Sequence, residues 1–293
     1  MSFHIIFNPY AHRGSCKTYM EAVCKLLGSV GEAYVVYTTE ARGHATELAR
    51  QIVAGGGREI LILGGDGTVH EVVGGITTKD DVVLGILPAG TGNDVATMLG
   101  LPPGLKNVAQ CMAPILARKT RPIDMIAEAS GKQSVLFFSY GIAANMVMTM
   151  EGYAKKTKSS YYRALINHMF GYKAETYDLM VDGGKPRKVT ADFLGMHSCI
   201  HAGGGMQLVH NAVIDDGYAE VFMVHYRGKL RRIANLIAMA SGKVHKQPNV
   251  EIIPAKTATI SSPDNNLCCT DGEIILTNKL ELQLIHKGVK IFG

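Results

Sequence analysis

Two glycine-rich turns carry the residue types that phosphate binding needs. Gly64-Gly65-Asp66-Gly67-Thr68 follows the apolar run Glu59–Leu63 and precedes a helical run. Glycines let the backbone approach an anion closely, a helix start aims amide hydrogens at it, and the Thr68 hydroxyl adds a donor. A bare glycine turn would equally serve as a tight strand-to-helix bend. Asp66 changes the balance, because a carboxylate inside an anion cradle is repulsive unless a metal, a ribose hydroxyl or a reacting hydroxyl lies nearby. The second turn, Leu87-Pro88-Ala89-Gly90-Thr91-Gly92-Asn93-Asp94, follows the next apolar run. Thr91 offers a hydroxyl, Asn93 is a natural N-cap and Asp94 suits a first helical turn. Two such cradles on neighbouring strands point to shared binding of phosphate and nucleoside. Asp271-Gly272-Glu273, just before the strand-like Ile274–Thr277, offers carboxylates beside a flexible glycine. Such carboxylates can serve as a general base or form an ordinary acidic β-turn.

Other chemistries lack their signatures. There is no Gly-x-x-x-x-Gly-Lys-Ser/Thr loop, no Gly-x-Gly-x-x-Gly and no Gly-x-Ser-x-Gly elbow. His70-Glu71 opens a zinc-like pattern, but Gly74 stands where the second histidine belongs, and His12, His44, His197 and His201 show no metal spacing. The six cysteines form no Cys-x-x-Cys pair and read as free thiols of a reducing compartment.

The elements that must position these residues fall into two halves. The chain has 293 residues, 47% hydrophobic and 19% charged, which excludes a disordered chain and suggests two domains. In the first half short apolar strands (3–7, 33–38, 59–63, 82–87) alternate with helical runs (17–27, 44–54), the pattern of a parallel α/β sheet with ligands beyond the strands' carboxyl ends. The second half is β-rich and mainly antiparallel. Its runs 177–181 and 189–194 flank the turn Asp182-Gly183-Gly184, 218–226 and 280–285 also read as strands, and helices are expected only near Tyr161–Phe170 and Leu230–Ala240. The division expected is 1–122 and 123–293, with the last strand free to return to the first domain. A net charge of +5 without a dense basic stripe argues against nucleic acid as a partner. The N-terminus lacks a signal-peptide pattern, and the longest apolar stretch, Val135–Met150, is too interrupted to span a bilayer, so a cytoplasmic protein is expected.

The first turn with Glu71 behind it, followed by Leu87-Pro88-x-Gly90-Thr91-x-Asn93-Asp94, resembles the diacylglycerol kinase catalytic-domain family, which includes bacterial lipid kinases and sphingosine kinases. Asn8-Pro9, Thr39 with Gly43-His44-Ala45, Arg121-Pro122-Ile123-Asp124, Gly203-Gly204-Gly205-Met206, Asp215-Asp216-Gly217 and Asp271-Gly272-Glu273 match its other motifs in order along nearly the whole chain. The resemblance implies an NAD kinase/diacylglycerol kinase-like fold with ATP and Mg2+ as cofactors and a lipid acceptor at the membrane surface. By motif position, Asn8, Pro9, Thr39 and Thr91 would contact the nucleotide, with Glu71, Gly90 and Asn93 in the same site, and Gly64 to Thr68 would hold the phosphates. Asp66, Asp94, Asp124 and Asp215 would form an acidic network. A structural magnesium would take the Asp216 carboxylate and the carbonyls of Val213 and Tyr218. Glu273 matches the position of the proton acceptor, with Asp271 assisting and Asp66 the rival base.

Three positions depart from the pattern: Thr97 replaces an arginine, Ala143-Ala144-Asn145-Met146 replaces Gly-Phe-Asp-Ala, and His210 replaces a proline. Two other readings therefore stay open, a catalytically weak nucleotide- or lipid-binding protein and an NAD kinase-like enzyme, although the latter's nicotinamide-side motif is missing. The basic stretches Lys155–Lys158 with Arg163, and Arg227, Lys229, Arg231 and Arg232, read first as solvated faces and second as a peripheral membrane contact. The lipid preferred is left open, and so is a homodimer.

Overall fold

The computed structural model describes residues 2–11, 16–77, 80–102, 105–151, 163, 166, 171–202, 206–271 and 273–293. The Lys155–Lys158 stretch, Gly203–Gly205, Gly272 and most of the helix expected over Tyr161–Phe170 lie outside them. The chain forms two compact units, residues 1–123 with 287–293, and residues 124–286.

In the first unit, strands β1 (Phe3–Phe7), β2 (Tyr34–Thr38), β3 (Glu59–Gly64) and β4 (Val83–Pro88) alternate with helices α1 (Cys16–Ser29), α2 (His44–Ala54), α3 (Asp66–Val73), α4 (Asp94–Met98) and α5 (Val108–Leu116). The strands pair in parallel, β1 with β2 and β3, and β3 with β4. Each side-chain period follows its element. Phe3, Ile5, Phe7, Leu61 and Leu63 share one core with Cys16, Tyr19, Val23 and Leu27 of α1 and Cys111, Met112 and Ile115 of α5. The alternate residues Ile6, Ile60 and Ile62 are equally buried and point to the other face. On that side α2 contacts β1 and α3 contacts β3, and α2 buries Ala45, Leu48, Ala49 and Ile52 at helical spacing. A parallel sheet covered on both faces needs near-continuous apolar strands, and these are such runs.

The second unit is antiparallel where its strands pair. After β5 (Thr120–Glu128) and β6 (Gln133–Ser134) come β7 (Phe137–Gly141), helix α6 (Ile142–Glu151), β8 (Glu175–Val181), β9 (Arg187–His197), the short β10 (His201–Ala202) and β11 (Met206–Gln207), β12 (Ala219–His225), helix α7 (Lys229–Ala240), β13 (Val250–Ala255), β14 (Thr257–Thr270) and β15 (Glu273–Phe292). The long strands β9 and β14 each pair with β8 along one stretch and with β7 along the next. The core lies beneath them, with Tyr140 stacked on Tyr177 at 5.2 Å. The β8–β9 turn has Asp182 and Gly183 both at positive φ, 48° and 67°. The Asp182 carboxylate also accepts the amides of Lys256 (2.9 Å) and Thr257 (2.8 Å), which ties the hairpin to β14.

Three features differ from the sequence reading. Helix α6 falls in the Val135–Met150 run, where no helix is expected. Residues 257–270 form an unforeseen strand. The final strand runs unbroken for 20 residues, joining the separate strand runs expected at 274–277 and 280–285, and its Lys290 and Ile291 pair in parallel with β4 in the first unit. Over 257–270 the polar run Ser261-Ser262-Pro263-Asp264-Asn265-Asn266 masks the alternation. A register shift between Ser261 and Asn266 absorbs part of the mismatch.

Arg232 is corrected as well. It is not on a solvated face but 5% exposed, and its Nε and Nη2 donate to Asp192 Oδ1 at 3.0 and 2.6 Å. Its Nη1 donates to the Tyr172 carbonyl at 2.9 Å. A cavity with room for about one water molecule lies beside this pair, lined also by Asn235, Leu236 and Met239. Asn235 and Asp192 Oδ2 have no protein partner there, so a water is the natural one. Truncating Arg232→Ala strands a buried carboxylate and is expected to cost about 3–5 kcal/mol in urea unfolding. The double variant Arg232→Met/Asp192→Leu is expected to recover most of that loss.

Candidate functional site

Four loops leave the carboxyl ends of β1 to β4, the same edge of one parallel sheet. At their centre β3 ends in Gly64 and α3 begins at Asp66, with Gly65 between them offering no side chain to the helix start. A Cβ on Gly65 would lie 3.0 Å from the Gly90 Cα, and one on Gly90 would lie 2.5 Å from the Gly65 Cα. The two turns therefore meet backbone to backbone, which only glycine permits. A Cβ on Gly64 would strike the Thr68 hydroxyl at 2.5 Å, whereas one on Gly67 would meet open space. Thr68 is buried, and its Oγ1 accepts a hydrogen bond from Asn8 Nδ2 at 2.9 Å. Asn8 thus joins the loop after β1 to the glycine turn. Thr39 is buried at the end of β2, with its amide on the Phe7 carbonyl at 2.9 Å.

The carboxylates take different places from those expected. Asp66 Oδ1 accepts the amide of Val95 at 3.1 Å, so it caps α4 from the neighbouring turn. Its charge in the cradle is thereby compensated by a helix N-terminus. Asn93, the expected N-cap, has left-handed backbone (φ 56°) and makes no side-chain cap. Its side chain closes its own loop instead, accepting from the Gly90 amide at 2.7 Å and donating to the Gly90 carbonyl at 2.8 Å. Glu71 turns toward α2, where Oε2 accepts the Ala45 amide at 3.1 Å and holds the helix start. Asp94 is buried in the first turn of α4, and Thr91 and Pro9 are half-buried in their loops. Thr97, in place of an arginine, bonds back to the Asn93 carbonyl at 2.9 Å.

In the second unit Asp124 is buried in the middle of β5. Its Oδ2 accepts the Gly217 amide at 2.7 Å and its Oδ1 lies 2.8 Å from His286 Nδ1, while its own amide donates to the Ile214 carbonyl at 2.6 Å. Asp124 therefore hangs the 213–218 loop on β5. Within that loop Asp216 Oδ1 accepts the Tyr218 amide at 3.0 Å, and Val213, Asp215, Asp216 and Tyr218 are all exposed. Glu220, two residues on, was not foreseen. It is buried with Oε2 unpartnered, and burial, then the Asp216 carboxylate, push it up to about 7. One acid among the apolar residues of a strand was the available signal. A hard, oxygen-preferring cation would relieve the repulsion between the Glu220 and Asp216 carboxylates. Among the described residues no cluster of three or more His, Cys, Asp or Glu side chains could hold a metal alone.

Asp271 is 4% exposed at φ 46°. Its oxygens accept the amides of Val135 (3.2 Å) and Phe137 (3.1 Å) and the hydroxyl of Ser134, which itself accepts the Leu136 amide at 3.1 Å. Asp271 thus staples the β6–β7 turn, and Ser134 is its unforeseen partner. Glu273 follows on β15, half-buried and paired in register with Thr270. His197 is stacked on Phe137 at 5.1 Å and against Phe222 at 5.6 Å, and burial pulls it down to about 3.

These arrangements have matching relatives. Residues 2–127 match the profile described as the diacylglycerol kinase catalytic domain, and residues 138–292 match the YegS C-terminal NAD kinase beta sandwich-like domain. A Chromohalobacter salexigens protein named "Probable lipid kinase YegS-like" is 30% identical over 223 residues, 73% of this chain and 70% of that protein. The chain belongs to the diacylglycerol kinase catalytic-domain family. A Staphylococcus aureus diacylglycerol kinase is 28% identical over 279 residues, covering 92% of this chain and 85% of that one. A crystal structure of a diacylglycerol kinase from Bacillus anthracis superposes with a TM-score of 0.74 at 20% identity, over 99% of this chain and 96% of that chain, and shares the fold. Family membership supports a kinase type of reaction.

Two measurements probe this geometry. Gly90→Ala forces the two turns apart and is expected to cost about 1–3 kcal/mol in urea unfolding. His197 titrates differently when folded and unfolded. The unfolded histidine takes a proton below about 6.5, while the folded one resists to about pH 3. Its contribution is present above pH 6.5 and is lost progressively, by about 1.4 kcal/mol per pH unit, as acid is added through that window. His197→Phe, which keeps the ring stack, is expected to flatten the acid limb of the stability profile by one proton.

Proposed function

We propose that this protein is a lipid kinase that transfers the γ-phosphate of ATP to a hydroxyl of diacylglycerol or a related lipid. The observation that carries the reading is the contact of Gly65 with Gly90, which brings two phosphate-type turns together backbone to backbone. The backbone from Gly64 to Thr68 would receive the phosphates, with Asn8, Thr39 and Thr91 around the nucleoside. Preorganised amides of this kind need no rearrangement as charge moves during transfer. Glu273 would accept the proton of the lipid hydroxyl. Asp271, stapled to the β6–β7 turn, would position the bend that presents Glu273 rather than react itself. Magnesium, when bound, would neutralise phosphate charge, and a structural ion would sit on Asp216 with the Val213 and Tyr218 carbonyls.

The test is labelled ATP with magnesium and micelles of diacylglycerol, a sphingoid base or phosphatidylglycerol, with NAD as a separate acceptor. Label in one lipid supports the reading. Label only in NAD makes the enzyme NAD kinase-like, and nucleotide binding without turnover makes it a binding protein. Glu273→Ala is expected to lower kcat by roughly 10²–10⁴-fold with ATP affinity retained, and an equal loss in both would remove Glu273 as the base.

A further inference from the structure

Helix α7 carries its polarity inside out. The buried side holds Arg232 and Asn235, while Leu230 is 85% exposed and Ile237 64%. Ile233 lies between them in sequence, half-buried, and the spacing of 230, 233 and 237 sets all three on one stripe. The buried Arg232–Asp192 pair fixes this rotation, because turning the helix would expose the pair and bury the stripe in its place. Tyr226, just before the helix, is 38% exposed.

The charges around the stripe are of one sign. From residue 226 to residue 247 the chain has Arg227, Lys229, Arg231, Arg232, Lys243 and Lys246 and neither Asp nor Glu. All but Arg232 are exposed. None of those five forms an ion pair with a described residue, and Arg231 reaches only Gln247 Oε1, at 3.5 Å. An apolar stripe flanked by unneutralised cations asks for a surface that is anionic outside and hydrocarbon within. A second copy of this chain does not supply it, since a two-fold contact through α7 would set cations against cations. An anionic bilayer supplies both parts: headgroups for the cations and the acyl boundary for Leu230, Ile233 and Ile237.

We propose that the outward face of α7 docks on an anionic lipid bilayer, with the helix lying in the plane of the interface and the stripe 230–233–237 inserted at the acyl boundary. This stands on the surface alone and does not depend on which acceptor is phosphorylated, or on whether any is.

Co-sedimentation of the full chain with vesicles tests it without ATP. Vesicles of phosphatidylcholine alone are compared with phosphatidylcholine mixed with phosphatidylglycerol, at low and high salt. The wild type is expected to pellet with the anionic vesicles and to lose binding as salt rises. Lys229→Ala/Arg231→Ala is expected to weaken that binding by roughly tenfold or more, at about fivefold per cation. Leu230→Ser/Ile237→Ser is expected to abolish the part that survives high salt. Both double variants should keep the wild-type urea midpoint, because the changed side chains face outward. The chain has no tryptophan, so Leu230→Trp adds a single fluorophore whose emission is expected to shift blue on anionic vesicles only. No pelleting, equal pelleting on both vesicle types, unchanged binding in both double variants, or an unmoved tryptophan emission would each overturn the proposal. So would a Leu230→Ser/Ile237→Ser variant that converts a dimer to a monomer while vesicle binding stays the same.

Discussion

Backbone against backbone at Gly65 and Gly90 is the contact on which the meeting of the first unit's two glycine turns depends. A methyl group at either position would hold the turns after β3 and β4 apart. Brought together, they are locked by side chains that cross between loops. Asp66 from one turn caps the helix after the other, and Asn8 reaches from the loop after β1 to Thr68. Such a surface is rigid before any ligand arrives, so less ordering entropy is lost on binding.

Carboxylates spent on backbone amides recur in the second unit. Asp124 holds Gly217, Asp182 holds Lys256 and Thr257, and Asp271 holds Val135 and Phe137. Each joins stretches far apart in sequence through a side-chain carboxylate that accepts backbone amides. The family's acidic motifs are therefore in part a framework. They fix the 213–218 loop and the turn at Asp271. Helix α7 follows the same logic in the opposite sense, since its buried Arg232–Asp192 pair determines which face looks outward.

Much of the first unit was legible because both its periods are strong. The strands are continuous apolar runs, and α1 and α2 repeat at 3 and 4 residues with glycines behind them. The second unit was legible where Asp182-Gly183 marked a tight turn. It was not legible over 142–151, where a helix that is apolar nearly all round has no polar face to reveal its period. It also failed over 257–270, where a register shift breaks the alternation. Within the site, the turn residues could be named from type and order. Their hydrogen-bond partners could not: Asp66 and Glu71 each turned to an amide remote in sequence.

The amino-acid order by itself determined which segments can carry phosphate-type turns and where glycine is required, because those demands are met within a few residues along the chain. Only the tertiary structure decided which acids are spent on amides, which face of α7 is buried and which residues meet at Gly65 and Gly90. Those outcomes depend on distances between strands remote in sequence, and such distances exist only once the sheet has formed.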